Sequence, residues 1–545
     1  MKKMASLLLI VLFPLSLLHA QIQIDWQQSY GSLGEDIPYS MVQTENGILV
    51  AGQAWSSDGL VTVELAPDKG WLLEIDGQGT VTGQQSPSLL PVWTGVPANS
   101  GSGLYLMGFN NNTVGSYYQY LSVTRQDASG DVQFERKLSG GNFPVIPFLK
   151  GQGACATSDG GMVGYCTVYG SGGDVSSHYG DFDAWLFKVS AEGELLWETT
   201  LGTSGTEYPS GLLCESDNSV LALISGKTRG GGPLTDCNHD TESYDGIVAR
   251  LDANGNVVWN QSRCYGGSGS EIISQAIELQ DGHLFLGSTT SDDGVLVDAG
   301  FHQDPDGGRW NDIWLMRTDT EGNVLWSRSY GGSKEETAVK AFLNADGGLT
   351  VFGMSRSADG DVLSAASLQD PWMPSVQRVW VFRTDSDGQL LWERVIGTYE
   401  SDTPLWDVVR HNEKEYTLLA QAYSIPVPSL GDYVCTNDEF LPNSQLNYWI
   451  LHITDVFDYS SVNDDASTME AVAVHPNPVG DMLRLQFSTD VSPVCVEVFD
   501  VQERLVLSQD KLLETVNMTG LSEGVYTLRV TLDDGTCCFK KVIRR

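Results

Sequence analysis

Aspartate is the residue type in this sequence whose number and spacing could do chemistry. Many aspartates fall in long polar segments between short apolar runs, and four of them are the candidate metal ligands: Asp245, Asp292, Asp293 and Asp312. Calcium prefers oxygen ligands such as carboxylates, so these segments could bind that ion. Two carboxylates at a suitable separation could also hydrolyse a glycosidic bond. Because so acidic a chain will contain such pairs by chance, the sequence assigns no catalytic residue.

Two shorter acidic motifs resemble part of a calcium-binding loop. They are Asp252–Gly255 and Asp385–Gly388. Both lack the regular oxygen spacing and the distal glutamate of an EF-hand. An aspartate followed by a glycine in the left-handed conformation is typical of a tight turn. The sequence therefore predicts turns, not metal sites, at these positions.

A further set of acids follows the points where the chain crosses from one repeat to the next. They are Glu35, Glu207, Glu271, Glu336 and Asp402. These acids could ring the mouth of a central channel and hold a hard cation, or each could accept hydrogen bonds from the backbone of its own crossover. Recurrence in most repeats favours the structural interpretation.

Other catalytic and redox motifs are missing. The sequence contains no H-E-x-x-H motif and no C-x-x-C pair, and its histidines are scattered singly. No cofactor is expected, with calcium the one possible ion. The chain has nine cysteines, of which Cys155 and Cys166 flank a predicted hairpin turn at Ser158–Gly161 and could pair across it.

The charge and the N-terminus indicate an exported protein. The chain has 31 Lys and Arg against 70 Asp and Glu, a net charge of −39. Such a body should repel nucleic acid and anionic membrane surfaces. Residues 1–20 have the basic start, the apolar run from Leu7 to Leu18 and the small residue Ala20 of a secretory signal peptide, and the run is too short to span a membrane.

An internal repeat decides the predicted fold. Tryptophan closes the same turn cassette, with a glycine four residues before it, at Trp197, Trp259, Trp326 and Trp392, with spacings of 62, 67 and 66 residues. Each unit contains four short strand patterns and almost no helical periodicity. Tandem four-stranded units are typical of propeller blades, in which the tryptophan would pack between neighbouring blades.

We therefore expect an all-β chain in which residues 21–456 form a seven-bladed β-propeller. The last unit lacks its outer strand, and the segment around Trp26 has the pattern of that missing strand. Pairing of this segment with Tyr448–Thr454 would close the ring and remove an open edge. The long loops join second to third strands and share one face with the crossovers, so any binding surface is expected there.

The C-terminal residues resemble a known sorting domain. They alternate as short strands, and the motif residues are Pro476, Asn477, Pro478, Gly524, Val525, Tyr526, Lys540 and Lys541. Residues 471–545 resemble the C-terminal sorting domain of the type IX secretion system of Bacteroidetes. The resemblance implies a small Ig-like β-sandwich, recognition by the secretion machinery, removal by a sortase-like peptidase within a linker at 457–470, and delivery to the cell surface or the medium.

The repeats also resemble the propeller repeats of secreted Bacteroidetes proteins, whose functions are mostly unassigned. We expect a secreted or surface protein whose propeller is a non-catalytic binding, adhesion or structural module for an extracellular ligand, with no nucleic acid partner and no membrane span. Calcium-dependent adhesion is a variant of this hypothesis. The alternative is a secreted, glycan-directed hydrolase that uses carboxylates of the long loops.

Overall fold

The computed structural model describes most of the chain after residue 21. The described residues are 22–65, 70–87, 92–98, 103–109, 120–141, 145–146, 153–234, 243–258, 263–297, 299–305, 307–365, 376–397, 402–423, 446–456, 472–475, 479, 482–487, 493–499, 505–509, 515–522, 524–532 and 537–544. They belong to two compact units, Gln21–Asp455 and a second unit within Val456–Arg545. Among these residues no helix is long and apolar enough to cross a membrane.

The first unit is built from short antiparallel strands. In chain order they are β1 (Ile22–Tyr30), β2 (Ile37–Thr44), β3 (Gly47–Gln53), β4 (Gly70–Ile75), β5 (Val81–Gln85), β6 (Val92–Pro97), β7 (Leu104–Phe109), β8 (Leu121–Gln126), β9 (Val132–Leu138), β10 (Val145–Ile146), β11 (Ala154–Ala156), β12 (Met162–Val168), β13 (Asp183–Val189), β14 (Leu195–Leu201), β15 (Thr206–Cys214), β16 (Val220–Lys227), β17 (Asp245–Leu251), β18 (Arg263–Tyr265), β19 (Glu271–Leu279), β20 (Gly282–Thr289), β21 (Asp312–Asp319), β22 (Val324–Tyr330), β23 (Glu336–Leu343), β24 (Leu349–Ser355), β25 (Arg378–Thr384), β26 (Leu390–Ile396), β27 (Leu405–Arg410), β28 (Glu415–Tyr423) and β29 (Leu446–Asp455). One 3-10 turn, Gly294–Leu296, lies between β20 and β21. The all-β prediction is confirmed.

These strands form seven sheets in the described part of the first unit. Five sheets keep chain order: β2–β5, β6–β9, β15–β18, β19–β22 and β23–β26. In the third sheet β10 and β11 both pair with β12, and β13 and β14 follow. The seventh has the order β1-β29-β28-β27, so the N-terminal strand supplies its outer edge. Trp26 lies opposite His452 in the antiparallel pairing of β1 with β29. The predicted completion of the last sheet by the N-terminus is confirmed.

The sheets succeed one another in a closed circle. The first strands touch in the sequence β2, β6, β11, β15, β19, β23 and β27, and β27 in turn contacts β2. They surround a channel of about 1060 Å³, whose wall includes Ser40, Thr94, Ser274 and Val408. Middle strands such as β13, β20 and β25 are buried along their whole length because a neighbouring sheet covers each face. This explains their continuous apolar sequences.

The second unit contains two antiparallel sheets. Its strands are β30 (Val472–His475), β31 (Met482–Phe487), β32 (Pro493–Phe499), β33 (Leu505–Gln509), β34 (Thr515–Asn517), β35 (Gly524–Leu532) and β36 (Cys537–Arg544). The sheet orders are β30-β31-β34 and β33-β32-β35-β36. Buried residues of both sheets, among them Leu483, Val498 and Leu528, share one hydrophobic core.

Candidate functional site

The face that carries the crossovers and the long second-to-third loops is the candidate functional surface, and we call it the loop face. Crossovers and loops are joined there by backbone hydrogen bonds, for example from Leu60 N–H to Gly31 O (3.0 Å) and from Asp361 N–H to Gly331 O (2.8 Å). The predicted assignment of both sets of connections to one face is confirmed. These hydrogen bonds fix the backbone of the crossovers and loops, so a binding site on this face would lie on a rigid support.

Two carboxylates hold each of three crossovers. In the crossover to the fifth sheet, Gly267 N–H donates to Glu271 Oε2 (3.0 Å) and Ser268 N–H donates to Asp293 Oδ1 (2.6 Å). Equivalent pairs are Asp36 with Asp58 and Glu336 with Asp359. These acids therefore satisfy backbone donors of the crossovers, which confirms the structural interpretation of the repeated acids.

Two members of the predicted set are corrected. In the first sheet the buried acid is Asp36, whereas Glu35 is exposed. In the seventh sheet the equivalent backbone position is held by Thr403, whose N–H donates to Gln377 O (2.9 Å). Asp402 instead accepts two hydrogen bonds from Arg356 (3.1 and 2.8 Å). The crossover into this sheet is one residue longer, which moves the carboxylate away from the buried position.

A second buried carboxylate lies beside some of these acids, at the start of a third strand. The Oδ1 atom of Asp312 and the Oε2 atom of Glu336 each lie 2.5 Å from the position that a Cβ atom on Gly331 would take. A larger residue at that point of the crossover would therefore have to displace these two buried carboxylates. Burial, with a contribution from Asp312, raises the pKa of Glu336 to about 8. In the equivalent pair at the crossover to the fourth sheet, burial and the nearby Asp183 raise the pKa of Glu207 to about 7.

Histidines lie against two of these third-strand aspartates. His302 Nδ1 is 3.0 Å from Asp312 Oδ2, and His178 Nε2 is 3.6 Å from Asp183 Oδ2. Burial raises the pKa of Asp312 even though His302 opposes that rise. Sequence reasoning treated these histidines as isolated loop residues, because the intervals from histidine to aspartate differ in the two loops.

The four candidate calcium ligands do not converge in the structure. Asp245 and Asp312 are buried at the starts of different sheets' third strands. Asp292 accepts a hydrogen bond from Gln303 Nε2 (3.0 Å), and Asp293 holds Ser268 N–H. Across the described ranges, no three His, Cys, Asp or Glu side chains are grouped so that they could hold a metal ion.

The opposite face carries the short D-x-x-G turns. Asp252 Oδ1 accepts hydrogen bonds from Asn254 N–H and Asn256 N–H (both 2.9 Å), and Asp385 does the same for Asp387 and Gln389 (2.9 and 2.7 Å). Gly255 has φ of 81°, in the left-handed region. The turn interpretation of both motifs is confirmed, and the carboxylates are occupied by backbone donors.

The predicted packing tryptophans lie on outer strands. Trp26 Nε1 donates to Gly77 O (2.9 Å) and Trp197 Nε1 to Ala253 O (3.1 Å), so each indole covers the outer turn of the following sheet. Trp326 packs at the edge of a core that spans two sheets, and Trp392 is buried. Trp259 lies outside the described residues.

Sequence reasoning missed a deeper set of tryptophans on third strands. These are 0 to 1% exposed: Trp71, Trp185, Trp314, Trp380 and Trp449. Each indole N–H donates to a side chain of the same sheet's outer strand, such as Trp380 to Glu393 Oε2 (3.0 Å) and Trp449 to Gln27 Oε1 (3.0 Å). In four of the sheets this acceptor directly follows the outer-strand tryptophan. The repeated W-polar pair is the signal that could have revealed them.

The possible Cys155–Cys166 disulfide does not form. Cys155 pairs with Cys214, with Cα atoms 5.9 Å apart, whereas Cys166 is free and buried. Cys155 and Cys214 lie on the first strands of neighbouring sheets, and these strands are adjacent across the channel wall. The bond therefore links two sheets instead of bridging one hairpin.

The predicted sorting residues are only partly described. Pro476, Asn477 and Pro478 lie outside the described residues. Gly524 and Val525 begin β35, and the hydroxyl of buried Tyr526 donates to Ser522 O (2.7 Å). In the β35–β36 pairing, Leu528 lies opposite Lys540 and Thr527 opposite Lys541.

Comparison with known proteins identifies this second unit. Residues 473–545 match the family described as "Secretion system C-terminal sorting domain". The comparison with curated proteins finds no match. The chain is thus a β-propeller-like protein with a C-terminal sorting domain. The sorting domain supports export by the type IX secretion system, and it implies interaction with that machinery and a location outside the cell or on the outer-membrane surface.

Solved structures with a similar arrangement have low sequence identity. BamB from Moraxella catarrhalis is 11% identical, with 79% of this chain and 99% of that chain covered and a TM-score of 0.35. Hydrazine synthase from Kuenenia stuttgartiensis is 11% identical, with 72% and 94% covered and a TM-score of 0.40. A protein of unknown function from Bacteroides caccae is 12% identical, with 60% and 89% covered and a TM-score of 0.31.

Proposed function

We propose that residues 21–456 form a seven-bladed β-propeller that acts outside the cell as a non-catalytic binding or adhesion module. Residues 1–20 are its signal peptide, 457–470 a linker, and 471–545 an Ig-like sandwich that a sortase-like peptidase removes during export from a Bacteroidetes cell. The closed circle of first strands and the seven sheets support the blade count. The common core of the two C-terminal sheets supports the sandwich.

One observation carries the non-catalytic role. The buried acids of the loop face, such as Glu271 and Glu336, accept hydrogen bonds from the backbone and from Ser and Thr hydroxyls. A catalytic carboxylate needs free access to substrate, and these side chains are 0% exposed. The buried acids of the loop face thus support its architecture. The long loops above it supply the variable surface of a binding module.

Two experiments test this proposal. The first follows secretion in a type IX-competent host, where deletion of residues 473–545 should retain the protein inside the cell, while the full chain reaches the surface or the medium. Delivery that is unchanged by the deletion would contradict the assigned route.

The second experiment incubates the exported protein with cellulose, chitin, xylan and mucin. We expect saturable depletion of the protein from solution by at least one of them, without release of reducing sugar. Release of sugar that is lost when loop carboxylates such as Asp181 and Asp292 are replaced by asparagine would instead favour the hydrolase.

A further inference from the structure

Four aromatic rings follow one another across the loop face of the third and fourth sheets. Tyr169 and Phe182 have ring centroids 5.4 Å apart, Phe182 and Tyr208 5.6 Å, and Tyr208 and Tyr244 6.2 Å. Neighbouring rings are tilted by 40°, 31° and 34°. We call these four residues the aromatic strip.

The aromatic strip breaks the pattern of the repeat. Phe182 and Tyr244 directly precede the third strands β13 and β17, where the fifth and sixth sheets have Asn311 and Gln377. Tyr208 follows the structural acid Glu207, and the residue after Glu336 at the equivalent point is Thr337. The crossover beside Tyr208 keeps the buried acid of the repeat, because Thr203 N–H donates to Glu207 Oε2 (2.8 Å) as Gly332 N–H does to Glu336 Oε2 (3.0 Å). The aromatic side chains are therefore not part of the crossover structure that the sheets share.

The aromatic strip is accessible. Tyr169 is 50% exposed, and the other three rings are half-buried. Tyr179, which is 41% exposed, and the ring of His178, 6.5 Å from that of Tyr169, lie at its edge. At the other end Lys227 Nζ lies 4.6 Å from the centre of the Tyr244 ring. Exposed aromatic surface of this kind is uncommon unless it binds a partner.

The geometry points to a neutral glycan chain as the ligand of the aromatic strip, an inference that rests on the proposed binding function. Aromatic faces stack on the C–H faces of sugar rings, and the spacing of the strip is comparable to the length of one sugar in an extended chain. Tyrosine hydroxyls and Asp181 can hydrogen-bond to sugar hydroxyls.

Charge selects a neutral ligand over charged ones. The net charge of −39 disfavours polyanionic glycans and nucleic acids. The cation–π position on Tyr244 is already filled by Lys227, so a cationic ligand would meet a like charge there. A ligand of several neutral rings is compatible with both features.

Isothermal titration calorimetry of the exported protein with cellohexaose, xylohexaose, mannohexaose and chitohexaose tests this inference. We expect at least one hexasaccharide to bind more tightly than its disaccharide, because only the longer chain spans the strip. Tyr169→Ala and Tyr208→Leu should each weaken that binding at least about fivefold, which corresponds to about 1 kcal/mol. Trp55→Ala is the matched control, since Trp55 is 59% exposed on the loop face of another sheet, and should leave the affinity unchanged.

Hydroxyl-radical footprinting of the unmodified protein provides a measurement that does not depend on the folding of variants. The bound hexasaccharide should protect Tyr169 and Tyr208 but not Trp55. Failure of all four hexasaccharides to bind, or binding that neither substitution weakens and that protects neither tyrosine, would overturn the inference. If mucin or a polysaccharide still binds in that case, the proposed binding function stands. Only the inference that the aromatic strip binds the glycan is then wrong.

Discussion

The indole of Trp26 stacks on the imidazole of His452, with ring centroids 5.8 Å apart and planes 7° from parallel. These residues lie near opposite ends of the first unit in sequence. Their strands pair over the whole of β1, so the seventh sheet contains both ends of the circle. The closure of the circle thus depends on main-chain hydrogen bonds and on this aromatic contact.

Trp26→Ala should destabilise the pairing of β1 with β29 that closes the circle. The substitution removes the stacking on His452 and the hydrogen bond to Gly77 O on the next sheet. We expect the free energy of unfolding in urea to fall by about 2 kcal/mol, below the range for a fully buried tryptophan because Trp26 is partly exposed. Trp55→Ala, at an exposed tryptophan outside the closure, should change stability by less than about 1 kcal/mol. Equal losses would contradict the role of Trp26.

Two tryptophans of the fifth sheet provide a matched pair. Trp314 donates from Nε1 to Ser327 Oγ (2.8 Å), whereas Nε1 of Trp326 makes no hydrogen bond with any described residue. Trp314→Phe should therefore lower the free energy of unfolding by about 2 kcal/mol, through loss of that bond and a small cavity. Trp326→Phe should cost less than half as much. Chemical denaturation measures both, and the reverse order would refute the assignment of the third-strand indoles.

The Cys155–Cys214 bond spans a sequence separation of 59 residues. In the chain-entropy account its removal should lower stability by about 4 kcal/mol. Replacement of both cysteines by alanine is compared with Cys166→Ala, which deletes a buried thiol that forms no disulfide. Thermal melting should be lowered further by the double substitution, and mass spectrometry of unreduced peptides should recover the 155–214 link. A 155–166 link would contradict the structure.

The stability of the first unit should depend on pH because Glu336 titrates at an unusually high pH. Its pKa in the folded protein, about 8, lies above the ordinary value of 4.5 because the carboxyl is buried. The folded state therefore binds more protons than the unfolded state between these values, and this contribution to stability is lost as pH rises from about 5 to 8. Melting temperatures measured over this range should fall.

Glu336→Gln should make that dependence shallower, because the amide cannot ionise beside Asp312, while Glu207, with a pKa of about 7, still titrates in this range. Asp319→Asn is the control. Its hydrogen bonds with the turn hold the pKa of Asp319 below the ordinary value, so it titrates outside this window and the substitution should leave the slope unchanged. A slope in the Glu336→Gln variant as steep as in the parent protein would refute the proposed titration.

Particular residues explain what the sequence could and could not reveal. The Trp26 cassette could be recognised as a displaced outer strand because it copies a repeated pattern. Asp36 could also have been found, since it follows Gly31 by the same interval that separates Gly331 from Glu336. The disulfide partner of Cys155 could not have been found from the sequence, because the pairing depends on which first strands become neighbours in the circle.

The aromatic strip was equally hidden from sequence reasoning. Tyr169 and Phe182 flank one loop, whereas Tyr208 and Tyr244 belong to the next sheet, and only the packing of the two sheets brings the four rings together. The strand register shows which residues of different sheets occupy equivalent positions. Without it, the four aromatic residues cannot be recognised as differing from their counterparts in the other sheets. The third-strand tryptophans differ in this respect, because the polar residue that directly follows the outer-strand tryptophan in four sheets is a signal that the sequence itself contains.

Amide hydrogen exchange of the exported protein tests the closed circle most directly. If β1 is the outer strand of the seventh sheet, amides of residues 22–30 that bond to β29 should exchange slowly, at rates similar to those of residues 448–455. Trp26→Ala should accelerate exchange in both segments together, while β20 and β21 remain protected. Rapid exchange throughout residues 22–30 in an otherwise protected body would contradict the closure of the circle by the N-terminal strand.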